Sequence, residues 1–151
     1  MKAEIQTIKK TIIVNTPKEK VWTVLFQDNF TRIWFAAFGE GVYADTDWQL
    51  GTKARFMDSK GDGIMGTVIV NRLHEALSLE YDGFIKAGSE DYESEGARAV
   101  KGTRETYRLS ENHGNTQLTI TSDMAEEYFD VMSAAWDNAL EKIKELAETK
   151  A

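Results

Sequence analysis

The chain has 151 residues, 42% of them hydrophobic and 11% aromatic, with a formal charge of −7 at pH 7. A chain of this length can bury about 70% of its unfolded surface in one core, and the composition is that of an ordinary globular protein, not a disordered one. The acidic balance argues against a nucleic-acid partner, because phosphate binding is driven by Lys and Arg, and the absence of cysteine excludes disulfides and thiolate metal sites.

The opening residues MKAEIQTIKK lack the apolar core of a signal peptide. The longest purely apolar run, IWFAAF at residues 33–38, is far too short to span a bilayer. No membrane partner and a cytoplasmic location are expected. Residues 4–14 alternate and are rich in Ile, Val and Thr, which suits a first strand. Thr16, Pro17 and Glu19 then read as the capping box of a short helix carrying Val21, Val24 and Leu25 inward. Asp28-Asn29 offers a second cap for a helix bearing Phe30, Ile33, Trp34 and Phe38 and ending near Gly39.

Turn signals follow at Gly51, Lys60-Gly-Asp-Gly63, 71–75, 83–102 and 112–115. Between them, strands are read near 42–48, 52–58, 63–71, 76–84, 102–110 and 115–122. Residues 85–100 are acidic and contain glycine, and are expected to form the one long irregular loop, either solvated and mobile or a functional gate. Asp123 with Glu126 reads as the cap of a last helix. In it Phe129, Met132, Trp136, Leu140 and Ile143 share one face, with Glu126, Asp130, Asp137, Glu141 and Lys144 largely on the other. A helix so long and one-sided needs a broad apolar surface, which only the preceding strands provide. The expected fold is α+β, one domain over residues 1–151. A curved antiparallel sheet of about seven strands wraps the C-terminal helix in a helix-grip arrangement, with two short helices after strand 1.

Several segments then look familiar. TPKEKVW at 16–22 resembles the opening of the Bet v 1-like or START-like (SRPBCC) superfamily, and Trp34-Phe35 its "WF" after the second helix. DWQLGTKARF at 47–56 is similar to its turn between the second and third strands, without the second glycine. GTVIVNRLHEALSLEY at 66–81 resembles its hairpin, with His74-Glu75 at the usual proline-rich corner, and AWDNALEKIKELAE at 135–148 its closing helix. Within the superfamily the pattern is most similar to the group named for the activator of the heat shock protein 90 ATPase, where such a domain forms the C-terminal half. The series is specific for fold and not for function, since sites vary on a shared scaffold.

The resemblance implies a pocket between the concave sheet face and the long helix. Alternation carries Glu105 and Tyr107 inward with Thr103 and Leu109, and Leu79 and Tyr81 inward with Leu77. With Trp34, Phe38, Tyr128, Met132 and Trp136 these would line an apolar cavity suited to a small hydrophobic ligand. The alternative is that the same rings close-pack with no cavity. Glu105 inside such a wall would be raised in pKa and act as an acid or a polar anchor, or else would reach water or an arginine at a strand edge. His74 and His113 have no ligand-spaced partners, so no metal, no cofactor and no catalytic residue set is indicated. Three functions remain. One is a module binding a hydrophobic small molecule. Another is a chaperone-associated interaction protein like the activator's C-terminal half. The third is a cyclase- or aromatase-like enzyme using Glu105 with Tyr81 or Tyr107.

Overall fold

The computed structural model describes residues 4–149. β1 (Ile5–Val14) leads into α1 (Lys18–Phe26), α2 (Asp28–Trp34) and a 3-10 turn (Phe35–Ala37). β2 (Tyr43–Asp45), β3 (Lys53–Met57), β4 (Gly63–Arg72), β5 (Ala76–Lys86) and β6 (Ser89–Asp91) follow, then α3 (Glu95–Val100). β7 (Arg104–Asn112) and β8 (Asn115–Ala125) complete the sheet, and a 3-10 turn (Glu126–Tyr128) opens into α4 (Phe129–Thr149). The strand order is β1-β8-β7-β5-β4-β3-β2, all antiparallel, with β6 added to the far end of β5. This is the expected helix grip with eight strands in place of about seven, β6 being the addition.

Alternation decides what the sheet presents to α4. Ile8, Val14, Leu77, Leu79, Tyr107, Leu109, Leu118 and Ile120 are buried on one face, where Trp136, Leu140 and Ile143 of α4 meet them. Phe129 and Met132, nearer the start of the helix, are only partly buried against this core. Two bulges adjust the register of β4 against β5. Gly66 pairs with Tyr81 and Met65 with Gly83, so Asp82 is the extra residue. The bulge keeps Tyr81 on the grip side and turns Gly83 and Ile85 to the outer face.

The caps differ from those read in the sequence. Thr16 is buried and makes no cap. Its carbonyl accepts Thr116 Oγ1 at 2.8 Å, and the free Lys18 amide is met by Glu111 Oε1 at 2.8 Å. A carboxylate from the β7–β8 hairpin thus replaces the local cap, favourably placed at a helix N-terminus. Asp28 binds Arg32 Nε at 2.8 Å and caps nothing. Asp123 lies within β8, where it accepts Thr7 Oγ1 at 2.6 Å and the Arg104 amide at 3.0 Å. Strand pairing therefore takes the residue expected to start the helix, and α4 begins six residues later, at Phe129.

Residues 85–100 are not an irregular loop. β5 runs on to Lys86, turns back as β6 and continues into α3, whose Ser94 accepts the Ala97 amide at 3.2 Å. The acidic residues that suggested solvation are bonded instead. Glu90 receives Lys53 Nζ and Tyr92 Oη, each at 3.0 Å, and also Arg55. Asp91 accepts the amides of Glu93 and Ser94, each at 3.0 Å. Among the described residues no helix is long and apolar enough to cross a membrane.

Candidate functional site in the helix grip

The strands β5, β7 and β8 carry the polar part of the grip interior. Register places Leu79 of β5 opposite Glu105 of β7, and Glu105 opposite Ser122 of β8. Leu77 likewise stands opposite Tyr107, and Tyr107 opposite Ile120. Glu105 is therefore set into an otherwise apolar wall, partly buried, with Tyr81 and Tyr107 buried beside it. Tyr107 Oη donates to Glu105 Oε2 at 2.6 Å and Ser122 Oγ to Oε1 at 3.3 Å. Burial pushes the Glu105 carboxyl above its usual range, partly opposed by donors from Tyr107, Tyr81 and Ser122. Burial, reinforced by the Glu105 charge, holds both phenols well above theirs, so they stay protonated and serve as donors.

The facing wall is aromatic. Trp136 lies 4.9 Å from Phe38 and 6.1 Å from both Trp34 and Tyr107, measured between ring centroids. The two buried indoles differ in one respect. Trp34 Nε1 donates to the Val24 carbonyl at 2.9 Å, whereas Trp136 Nε1 is buried with no acceptor. A buried donor left unpaired costs about 1–3 kcal/mol, and a ring face is only a weak acceptor.

Of the residues read from the sequence, Trp34, Leu79, Tyr81, Tyr107 and Trp136 are buried in the grip, and Phe38, Met132 and Glu105 are partly buried there. Tyr128 is not among them and is 58% exposed. It precedes α4, in the 3-10 turn, and so lies outside the helical stripe that begins at Phe129. Phe26, Trp48, Phe56 and Ser122 belong to the site without having been read from the sequence. Phe26 lies 5.4 Å from Tyr107 and 4.9 Å from Trp48, and Phe56 lies 6.3 Å from Tyr81. Ser122 could have been found, since it continues the inward alternation of Leu118 and Ile120. Trp48 could not, because it lies outside any strand, with φ of 62°.

Two open grooves lie outside the grip. One of about 500 Å³ is lined by Asp45, Asp47, Thr52, Lys53 and Arg55, and another of about 430 Å³ runs along α4 past Glu141, Lys144 and Glu148. No cluster of metal-ligating side chains exists among the described residues. Among the described residues of the grip, Glu105 is the acid–base group whose titration is moved toward neutrality.

A curved antiparallel sheet closed by a C-terminal helix, with its polar groups facing that helix, defines a START-like, helix-grip protein. The chain belongs to the family of activator of Hsp90 ATPase homolog 1-like proteins, whose model matches residues 15–148. A structure from Mesorhizobium loti is similar, with a TM-score of 0.74 at 15% identity over 97% of this chain and 99% of that one. So is the solution structure of the Aha1 dimer from Colwellia psychrerythraea, with a TM-score of 0.73 at 16% identity, covering 97% of this chain and 99% of that one. CalU16 from Micromonospora echinospora gives a TM-score of 0.66 at 17% identity, over 98% and 78% of the two chains. At such identities the likeness establishes the fold alone. No curated protein matches the sequence.

Proposed function

We propose that this protein binds an apolar small molecule between the sheet and α4. The observation that carries the reading is the Glu105–Tyr107–Ser122 cluster inside an aromatic wall. A carboxylate and phenols in an apolar interior cost stability compared with hydrocarbon side chains. Such groups are retained where they contact something else. The ligand enters by displacing partly buried side chains packed against the core, such as Phe38, whose ring lies 4.9 Å from that of Trp136, and Met132, one turn before Trp136 on α4.

The test is titration with a hydrophobic fluorophore against wild type, Met132→Trp and a control on the exposed outer face, Gln117→Ala. Saturable binding that Met132→Trp abolishes and Gln117→Ala leaves intact supports the reading. Absence of saturable binding to wild type, or equal loss in both variants, rejects it. Thermal melts of both variants separate blocked binding from lost folding, since overpacking itself costs about 1–3 kcal/mol.

The family match favours a second reading, association with a chaperone through the surface. Tyr128 and Val131, 58% and 72% exposed at the head of α4, supply an apolar contact. Calorimetric titration with purified Hsp90 tests it. Binding weakened by Val131→Asp supports this reading, and no heat of binding rejects it.

A further inference from the structure

We infer that the grip selects an uncharged, flat apolar molecule bearing a hydrogen-bond acceptor, with Trp136 Nε1 donating to that acceptor and Glu105 turning anions away. This rests on the reading of the grip as a ligand site and adds the chemistry of what it takes. Trp136 is 1% exposed, its N–H is buried without an acceptor, and its ring packs among those of Trp34, Phe38 and Tyr107. A carbonyl or ether oxygen inserted between helix and sheet would complete it. The surrounding ring pairs are edge-on or tilted, so a flat ligand finds both ring edges and faces to pack against.

Charge decides the rest. Among the described residues, the polar groups clustered with Glu105 are Tyr81, Tyr107 and Ser122, with no cation among them. Arg104 and Arg108 lie on the opposite, exposed face of β7. Lys10, which alternation points toward α4, is held by Asp137 at 2.6 Å. A buried carboxylate ligand would lack a counter-ion and would stand beside a second carboxylate, an arrangement that disfavours the charged form of both.

Three probes sharing one ring system separate these effects: naphthalene, 2-acetonaphthone and 2-naphthoate. The ketone is expected to bind about tenfold more tightly than naphthalene, the difference one hydrogen bond to a buried donor supplies. Naphthoate is expected to bind more weakly than naphthalene. In ¹H–¹⁵N spectra the Trp136 indole signal, assigned by its loss in Trp136→Phe, should move downfield with the ketone and much less with naphthalene. Trp136→Phe should reduce ketone binding to the naphthalene level, and Glu105→Gln should narrow the gap between ketone and naphthoate. Equal binding of ketone and naphthalene with a static indole signal overturns this inference while leaving the grip as a binding site. Naphthoate binding as tightly as the ketone also overturns it. Binding of no probe at all overturns both this inference and the reading beneath it. Were Trp136→Phe to unfold, the indole shift and the Glu105→Gln comparison would still decide the matter.

Discussion

Tyr107 donates its phenol to the carboxylate of Glu105, two residues earlier on the same strand, at 2.6 Å between Oη and Oε2. Both side chains face α4, so the bond places an ionisable group where the surroundings are mostly apolar. Burial raises the Glu105 pKa above its usual 4.5, and the donors offset this only in part. The folded state therefore holds the proton more tightly than the unfolded state. The sign follows from linkage. The contribution of Glu105 to stability is greatest below about pH 4.5 and falls as pH rises through its folded pKa, after which the loss is constant. Glu105→Gln cannot ionise and should escape that fall. Urea unfolding at pH 4 and pH 7 should show the variant gaining on wild type at the higher pH. An identical difference at both would mean that the carboxylate is not penalised by burial.

Trp136 and Trp34 offer a matched pair. Truncating either to Ala should cost about 3–5 kcal/mol, because both are 1% exposed in the core. Replacement by Phe should separate them. Trp34→Phe breaks the bond to the Val24 carbonyl, while Trp136→Phe removes an N–H that has no partner. The first should therefore be less stable than the second by about 1 kcal/mol, the net worth of one hydrogen bond. Chemical denaturation of the two variants measures this. The reverse order would mean that the Trp136 N–H has a partner in solution.

Periodicity made most of this fold legible in the sequence. The inward sets Leu77, Leu79, Tyr81 and Thr103, Glu105, Tyr107, Leu109 follow from alternation alone, and the Trp136, Leu140, Ile143 stripe from helical spacing. What failed was chemistry that depends on distant partners. Thr16 and Asp123 look like caps because their type and position fit, yet Glu111 meets the Lys18 amide in place of Thr16, and Thr7 claims the Asp123 carboxylate from another strand. Residues 85–100 look solvated because they are acidic, and the cations that neutralise Glu90 stand more than thirty positions earlier. Trp48 joins the aromatic wall from a backbone position with positive φ, for which no repeat exists to read.

The Glu90 clamp should govern the order of the segment it fastens. Hydrogen bonds from Lys53, then Tyr92, hold its carboxyl below the usual 4.5. A lowered folded pKa contributes stability above pH 4.5 and loses it as pH falls through the folded value. Glu90→Gln should therefore weaken amide protection in residues 89–100 at neutral pH while leaving β1 and β8 unchanged. About 0.5 M salt should act in the same direction in wild type, since the charges are exposed to screening. Protection that is the same with and without the carboxylate would mean that packing of α3 on β5 suffices.

Gly83 is the position where β6 approaches the sheet too closely for a side chain. A Cβ there would stand 2.7 Å from the Asp91 carbonyl oxygen, 2.8 Å from Met65 Cε and 3.1 Å from Tyr92 Cδ1. The nearest of these is backbone, so β6 must shift, and the Tyr92 ring moves with it relative to Lys53 and Glu90. Gly83→Ala should cost roughly 1–3 kcal/mol, as other overpacking does, and should release protection in residues 89–100. Gly88→Ala is the matching control. Its φ is +83° with nothing within 4 Å of the added Cβ, so it should cost about 1 kcal/mol of left-handed backbone strain without moving Tyr92. Equal denaturation midpoints for the two variants, with the Tyr92 ring signals unmoved in Gly83→Ala, would mean that β6 does not rest on Gly83.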